Sequence, residues 1–240
     1  MYPAKMKTIG VIGGLGPQAT MDFEARVHAV SQRFIPPFKS GGYPPMVVYY
    51  HRRPPFAVDD QLRPAQPLQA DRRLLEAARR LGGWADLLVI SANAPHLVKD
   101  QIAEAFGGTV LSMIDVTLGE VQRRQLQRVG VVGLGTPQVY LTPLEERGLA
   151  AYAPPAELQG PLDAAIFALM EGRADGAGRG AARAAVAQLR ARQPEAIILG
   201  CTEVPLLLGQ EAEAPDLINP VQLLAETVVR LAISNASERV

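Results

Sequence analysis

The sequence is poor in the residues that build disulfides and metal sites. Its 240 residues include one cysteine, three histidines and one tryptophan. A single cysteine excludes an internal disulfide framework and suits a reducing compartment. The scattered histidines show no metal-ligand spacing, so we expect no metal site. The sequence also lacks the G-x-S-x-G elbow of many hydrolases and the Walker P-loop.

An excess of charge of one sign is also missing, because 24 basic residues balance 24 acidic ones. A broad surface for nucleic acid or for an anionic membrane is therefore not expected. No apolar run approaches the roughly 18 residues that suggest a membrane span, and the N-terminal segment makes a poor signal peptide. We expect a cytoplasmic protein without nucleic-acid or membrane partners.

Apolar runs and helical patterns alternate along the chain. Runs without polar alternation predict strands buried on both faces, and strand–helix alternation favours parallel sheets covered by helices. The predicted strands are Thr8–Ile12, Met46–Tyr50, Leu87–Ile90, Val110–Ile114, Val129–Val132 and Ala196–Leu199. The predicted helices are Ala19–Val30, Gln69–Leu81, Thr117–Gln127, Leu162–Met170, Gly180–Arg192 and Pro220–Ile233.

Two segments of the first half of the chain recur in the second half. The strand and turn at residues 9–14 resemble those at 129–134, and the strand end at 88–90 resembles that at 197–199. This repetition predicts two similar α/β lobes, one of residues 1–116 plus 214–240 and one of residues 117–213. Ligands of parallel sheets bind at the carboxyl ends of strands. We therefore expect the site in the cleft between the lobes.

Two loops after predicted strands could bind an anion. Gly13 and Gly14 follow the first strand and open a helix, where backbone amides and the helix N-terminus favour a phosphate or carboxylate. The alternative is a tight turn without a ligand. Arg52 and Arg53 follow the second strand, and either could clamp a carboxylate or face solvent.

Two further strand ends carry groups that could take part in chemistry. Cys201 could carry a proton or act as a nucleophile, or it could pack as a small hydrophobic residue. Asn93 and Thr202 could bind polar groups of a substrate or cap the following helices. His96 could orient a substrate or a base, or make a structural hydrogen bond. Glu203 could accept a proton or a substrate ammonium, or lie in the first turn of a helix.

Together these segments resemble the aspartate/glutamate racemase family over nearly the whole chain. Residues 9–20 are similar to its opening segment, residues 131–136 to its mid-chain segment and residues 199–205 to its second catalytic segment. Residues 91–96 fall where the family has its first catalytic segment, usually Cys-Asn-Thr followed by two residues, the second often His. The resemblance implies two α/β lobes related by a pseudo-two-fold axis, an amino-acid or small-carboxylate substrate, no cofactor and commonly a homodimer.

The resemblance also implies a reaction and a set of site residues. In this family two opposed thiols act on either side of the substrate α-carbon, one removing a proton as thiolate and the other returning one as thiol. Inversion at carbon needs such an acid and base on opposite faces. By match, Cys201 is one of the two. The implied substrate contacts are Gly13, Gly14, Arg52, Arg53, Asn93, Ala94, Thr136 and Thr202.

The sequence departs from the family pattern at Ala92, which occupies the position of the first thiol. A methyl group can neither give nor take a proton. Ser91 is adjacent, but a shift of one residue at a strand end redirects the side chain. A family lysine that binds the distal carboxylate aligns near Met170, so an acidic substrate loses that anchor.

The reaction that we expect is that of a cofactor-independent amino-acid racemase, an isomerase. Its catalytic positions are Cys201, Ala92, Ser91, His96 and Glu203. Two alternatives stay open. One is a decarboxylase or isomerase of a small carboxylic acid that uses one thiol, as known in the broader superfamily. The other is a protein that binds a small carboxylate without catalysis.

Overall fold

The computed structural model describes residues 6–36, 42–58, 64–135, 137–173 and 175–234. The strands are β1 (Ile9–Gly13), β2 (Met46–Tyr50), β3 (Leu87–Ile90), β4 (Val110–Leu111), β5 (Arg128–Val132), β6 (Ala150–Tyr152), β7 (Ala196–Leu199) and β8 (Leu217–Ile218). The α-helices are α1 (Pro17–Phe34), α2 (Arg72–Gly82), α3 (Lys99–Phe106), α4 (Met113–Arg123), α5 (Gln138–Glu146), α6 (Ala156–Met170), α7 (Gly176–Ala191), α8 (Val204–Leu208) and α9 (Pro220–Ile233). Short 3₁₀ helices lie at Ala94–Val98 and Gly209–Glu213.

The chain divides into two compact units, each built on a parallel sheet. The first unit is Met1–Met113 with Val221–Val240, and the second is Ile114–Pro220. The strand order is β2-β1-β3-β4 in the first unit and β6-β5-β7-β8 in the second, and every pairing is parallel. The predicted fold class, two similar parallel-sheet α/β units, is confirmed.

In the first unit the central strands bury both of their faces. Ile9 and Val11 of β1 point into a cluster with α1 and α9, and Ile12 points into a second cluster with α2 and α3. Successive side chains of a strand leave on opposite faces, so one apolar strand supplies both cores. Helix α9 thus completes a core whose first strand, β1, lies some two hundred residues earlier in the chain.

The second unit packs α6, α7 and α8 on one face of its sheet. Val132 of β5 and Leu199 of β7 lie in this core with residues of all three helices. Helix α7 approaches α6 closely at Gly178, where an added Cβ would lie 3.3 Å from the Cβ of Ala165. The Asp175 carboxylate caps α7 by accepting the Gly178 backbone N–H at 3.0 Å.

The structure corrects one predicted strand and adds several elements. Strand β4 ends at Leu111, and residues 113 and 114 begin helix α4 instead of extending the strand as predicted. A side-chain contact explains the change, because the Met113 backbone N–H donates to Nε2 of His96, 17 positions earlier, at 3.0 Å rather than to a neighbouring strand. The predictions also missed α5, β6 and β8, and they gave α3 and α8 without bounds, as helices that could follow Asn93 and Thr202.

Candidate functional site

The loop after β1 has the tight geometry that its glycines suggest. Gly14 has φ of +85°, and an added Cβ would lie 2.7 Å from the Tyr50 Cα. A Cβ at Gly13 would lie 2.4 Å from the Thr20 Cγ2. The backbone N–H of Gly14 donates to Thr20 Oγ1 at 2.8 Å. The turn therefore requires glycine for steric reasons, and an anion would need amides other than that of Gly14.

Ser91, at the end of β3, belongs to the same hydrogen-bonded cluster. Its side chain is buried, and its Oγ lies 3.1 Å from Thr20 Oγ1. Thr20 Oγ1 lies 3.2 Å from the Gly16 carbonyl, to which it donates. The Ser91 backbone N–H donates to the Ile12 carbonyl at 3.0 Å. These contacts join β1, β3 and α1, and they favour a structural role for Ser91 over that of a replacement proton carrier.

Ala92, Asn93 and Ala94 form the bend that follows β3. Ala92 and Asn93 are partly exposed, and Ala94 is exposed at the start of the 3₁₀ helix. The Asn93 side chain makes no capping hydrogen bond to this helix. The capping interpretation of Asn93 is therefore wrong, while its role as a substrate contact stays a prediction.

His96 holds the bend through both nitrogens of its ring. Nδ1 lies 2.9 Å from the Ala92 carbonyl, and Nε2 lies 3.0 Å from the Met113 backbone nitrogen. A carbonyl only accepts and a backbone N–H only donates, so the neutral ring carries its proton on Nδ1. Because the lone pair of Nε2 is engaged by the backbone, the geometry supports a positioning role for His96.

Replacing His96 with alanine is expected to lower the free energy of unfolding by about 2 kcal/mol, since two partly buried backbone groups lose their partner. Urea denaturation of both proteins measures this change. Leu97→Ala is the matched control, because Leu97 lies in the same 3₁₀ helix with 58% of its surface exposed. We expect the control to stay within about 0.5 kcal/mol of the parent. Equal effects of the two changes would contradict the role given to His96.

The two arginines after β2 are exposed, and one of them lies beside the glycine turn. Arg52 Nη1 donates to the Gly14 carbonyl at 3.4 Å, and its guanidinium stacks over the Tyr50 ring at 5.0 Å from the centroid. Arg53 is exposed. Of the two candidate carboxylate clamps, Arg52 is thus the one held next to the β1 loop.

In the second unit, Gly133 and Gly200 let the ends of β5 and β7 approach each other closely. A Cβ on Gly133 would lie 3.1 Å from the carbonyl carbon of Gly200. A Cβ on Gly200 would lie 2.9 Å from the Val131 Cγ1. The Gly200 backbone N–H donates to the Val132 carbonyl at 2.6 Å. This close approach fixes the backbone that carries Cys201.

Cys201 lies directly after β7, with 9% of its surface exposed. Its Sγ donates to Glu203 Oε2 at 3.1 Å, and Thr202 Oγ1 donates to the same oxygen at 2.9 Å. Glu203 stands at the N-cap of α8. The three consecutive side chains therefore form one buried cluster in which a carboxylate accepts from a thiol and a hydroxyl. The helix-capping alternative for Thr202 is wrong, because Glu203 stands at the N-cap of α8 and no side chain makes a capping hydrogen bond there.

Burial and the Glu203 carboxylate together hold the pKa of the Cys201 thiol well above its ordinary range. The backbone amides of Glu203 and Leu134 face the sulfur and oppose this rise in pKa. Helix α8, which follows Cys201, has only five residues, and the carboxylate that contacts the sulfur opposes the thiolate. The thiol form, which can donate a proton, is thus favoured at neutral pH.

Sequence reasoning missed the residues that surround this cluster. Tyr140 is fully buried, hydrogen-bonds the Thr117 side chain and has a raised pKa, chiefly because of burial. Gln159 and Asp163 bind the loop after β5. Nothing in the local sequence marks these residues, because their partners lie far along the chain. The predicted contact Thr136 lies outside the described residues.

Within the ranges given above, no group of three or more His, Cys, Asp or Glu side chains could hold a metal ion. Across the same part of the chain, none of the helices combines the length and the apolar character needed to cross a membrane.

The described fold is thus that of an α/β protein with two parallel sheets of one strand order and a buried thiol–carboxylate pair after β7. The chain belongs to the Asp/Glu/Hydantoin racemase family, which it matches over residues 12–228.

Solved structures share the fold of this chain. A candidate Asp/Glu racemase from Yersinia pestis is 23% identical, with a TM-score of 0.73 over 95% of this chain and 100% of its own. The aspartate racemase of Picrophilus torridus is 17% identical, with a TM-score of 0.73 over 98% of this chain and 96% of its own. An aspartate racemase homologue from Pyrococcus horikoshii is 25% identical, with a TM-score of 0.69 over 95% of this chain and 99% of its own.

Proposed function

We propose that this protein is a cofactor-independent amino-acid racemase that transfers a proton at the α-carbon through Cys201. The observation that carries the proposal is the buried thiol of Cys201 donating to Glu203 at the end of β7, in a chain of the racemase family. A thiol held this way is a proton donor, and after losing its proton it is a base.

The amides around the sulfur support the step in which Cys201 removes the α-proton of the substrate. When Cys201 takes up an α-proton, it must first exist as the thiolate. The backbone N–H groups of Leu134 and Glu203 favour that anion, while Glu203 and burial oppose it. Because the pKa of Cys201 is raised, the thiolate is scarce at neutral pH and increases as the pH rises. The proton-abstracting step therefore gains rate with pH.

Binding of the substrate is assigned to polar groups near the strand ends. We propose that its carboxylate is held by Arg52 or Arg53 and by backbone and side-chain groups of the β1 and β3 loops. The full set of proposed contacts is Gly13, Gly14, Arg52, Arg53, Asn93, Ala94, Thr136 and Thr202. A homodimeric state and a cytoplasmic location stay predictions from the sequence.

Alanine at position 92 makes the proposed reaction asymmetric. One thiol can remove a proton and return it to the same face of the α-carbon. Inversion needs a second proton carrier, and the Ala92 methyl group is not one. We therefore propose a slow racemase in which the α-proton exchanges with solvent faster than the α-carbon is inverted.

Incubation of single amino acids with the protein in D₂O tests the proposal. Proton NMR measures α-deuteration, and chiral chromatography measures inversion in the same samples. We expect exchange to exceed inversion by about 10²-fold or more, the typical contribution of one acid–base group. The exchange rate should rise from about pH 7 to about pH 9, because the Cys201 pKa lies above its ordinary value. If no amino acid of the panel is deuterated, the proposal fails.

A one-thiol decarboxylase is the second candidate, and the protonated state of the single sulfur favours it. A disubstituted malonate would lose CO₂, leaving the electron pair of the broken C–C bond on the α-carbon. The Cys201 thiol would then protonate this carbanion, and solvent would restore the thiol. Adding such malonates to the panel distinguishes the candidates. Carbon dioxide release with a single product enantiomer supports the decarboxylase, and a racemic product contradicts it.

A further inference from the structure

The loop that follows β5 lies against the residues that carry the Cys201 thiol, because an added Cβ on Gly133 would lie 3.1 Å from the Gly200 carbonyl carbon and 3.4 Å from the Cys201 backbone nitrogen. The backbone amide of Leu134, the next residue of the loop, acts to lower the pKa of that thiol. An amide directed at sulfur favours the thiolate over the thiol. Its effect depends on orientation, so whatever fixes residues 133–135 also determines how well the thiolate is stabilised.

Two side chains of α6 hold this loop on either side of Leu134. Asp163 Oδ1 accepts the backbone N–H of Gly135 at 2.8 Å. Gln159 Nε2 donates to the Gly133 carbonyl at 2.8 Å and to the same Asp163 oxygen at 2.7 Å. Gln159 and Asp163 are four residues apart and therefore share one face of the helix.

The conformation of the loop depends on such support. Gly135 has φ of +55°, in the left-handed region, and Gly133 packs against the backbone of Gly200. The two residues that flank Leu134 are therefore each bonded to the α6 pair, and the amide between them has a defined direction.

We propose that Gln159 and Asp163 are positioning residues that hold Gly133–Gly135 so that the Leu134 amide points at the Cys201 sulfur. This inference deepens the proposed function and rests on it for its catalytic meaning, but the geometry can be tested without activity. The charged group that acts on the sulfur is Glu203, and the sulfur in turn raises the pKa of the buried Tyr140 hydroxyl.

The test uses the fact that the chain has a single cysteine. Protein labelled with [3-¹³C]cysteine gives one ¹³Cβ signal that follows the thiol–thiolate equilibrium of Cys201 during a pH titration. For Asp163→Ala we expect a thiolate-to-thiol ratio about tenfold lower at a given pH than in the parent protein. Asp163→Asn keeps the oxygen that accepts both hydrogen bonds. For this variant we expect the Cys201 signal to follow the same pH titration as in the parent protein.

A positioning role of Asp163 and a purely electrostatic role predict different thiolate fractions of Cys201 in these variants. If Asp163 acted only as a nearby negative charge, both changes would raise the thiolate fraction, because a repelling charge is lost. Glu157→Ala removes an exposed carboxylate from the same helix and serves as the control, with an unchanged titration expected. Gln159→Ala is a second test in case Asp163→Ala does not fold, and we expect it to lower the thiolate-to-thiol ratio of Cys201 as well.

The outcomes separate this inference from the proposed function. The positioning role is overturned if the titrations of Asp163→Ala and Gln159→Ala are unchanged. It is also overturned if the thiolate fraction rises in both Asp163 variants. Either result counts even if the parent protein exchanges α-protons. A lowered thiolate fraction that asparagine restores supports it, even if the parent shows no exchange and the proposed function fails.

Discussion

Replacing Cys201 with serine is expected to lower the rate of α-proton exchange by about 10²–10⁴-fold, the range that one general acid–base group contributes. Serine has nearly the shape of cysteine and can still donate to Glu203, so the cluster at the end of β7 keeps its hydrogen bonds. A hydroxyl, however, ionises far less readily than a thiol. Proton NMR in D₂O, with the best substrate of the panel, measures the loss.

A second variant separates loss of chemistry from loss of stability. Ala212 lies in the same apolar cluster as Cys201 and is 2% exposed, so Ala212→Ser adds a hydroxyl to that core at a residue outside the Cys201–Glu203 hydrogen bonds. We expect Ala212→Ser to lower stability in urea while leaving the exchange rate within about twofold of the parent. Exchange at the parental rate in Cys201→Ser would remove Cys201 from the mechanism.

Replacing Ala92 with cysteine is expected to raise the rate of inversion by about 10²-fold or more, with a much smaller change in α-deuteration. Ala92 occupies the position that carries the first thiol in the family pattern, and it is partly exposed in the bend after β3. A thiol at this position would supply the proton carrier that inversion requires. Chiral chromatography and proton NMR on the same samples give both rates.

Ser91→Cys is the matched control for this gain of function. It adds a thiol one residue earlier, where the side chain is buried against Thr20 and Gly13. We expect Ser91→Cys to leave inversion at the parental rate. A gain of similar size in both variants would indicate that any added thiol suffices. The absence of any gain in Ala92→Cys would contradict the assignment of position 92.

Parts of the fold with strong periodic signals were predictable from sequence. Strands β2, β3 and β7 and helix α9 have the predicted bounds, because their apolar residues form continuous or helically spaced runs. Strands β6 and β8 have only three and two residues, which is too short for a pattern. The predicted domain limits stay a proposal, because compact units alone do not establish independent folding.

The site was predictable only where its residues are neighbours in sequence. Cys201, Thr202 and Glu203 were each predicted as site residues, and their side chains form one hydrogen-bonded cluster. In contrast, Ser91 lies within hydrogen-bond distance of Thr20, 71 positions away in the sequence, and Gly135 donates to Asp163, 28 positions away. Such pairs arise from the packing of strands and helices. A single sequence carries no local signal for them, and the direction of the Cys201 pKa depends on burial in the same way.

The position of α9 has a consequence for the order in which the molecule can assemble during synthesis. The second unit is one continuous stretch, so all of its core residues have been made once Pro220 is in the chain. The first unit lacks part of its core until α9 follows. Because chains fold as they are made, from the N-terminus onward, the sheet that is translated first closes its core last. Until then this face of β1 and β3 has α1 but lacks α9, so part of its apolar surface stays exposed and open to aggregation.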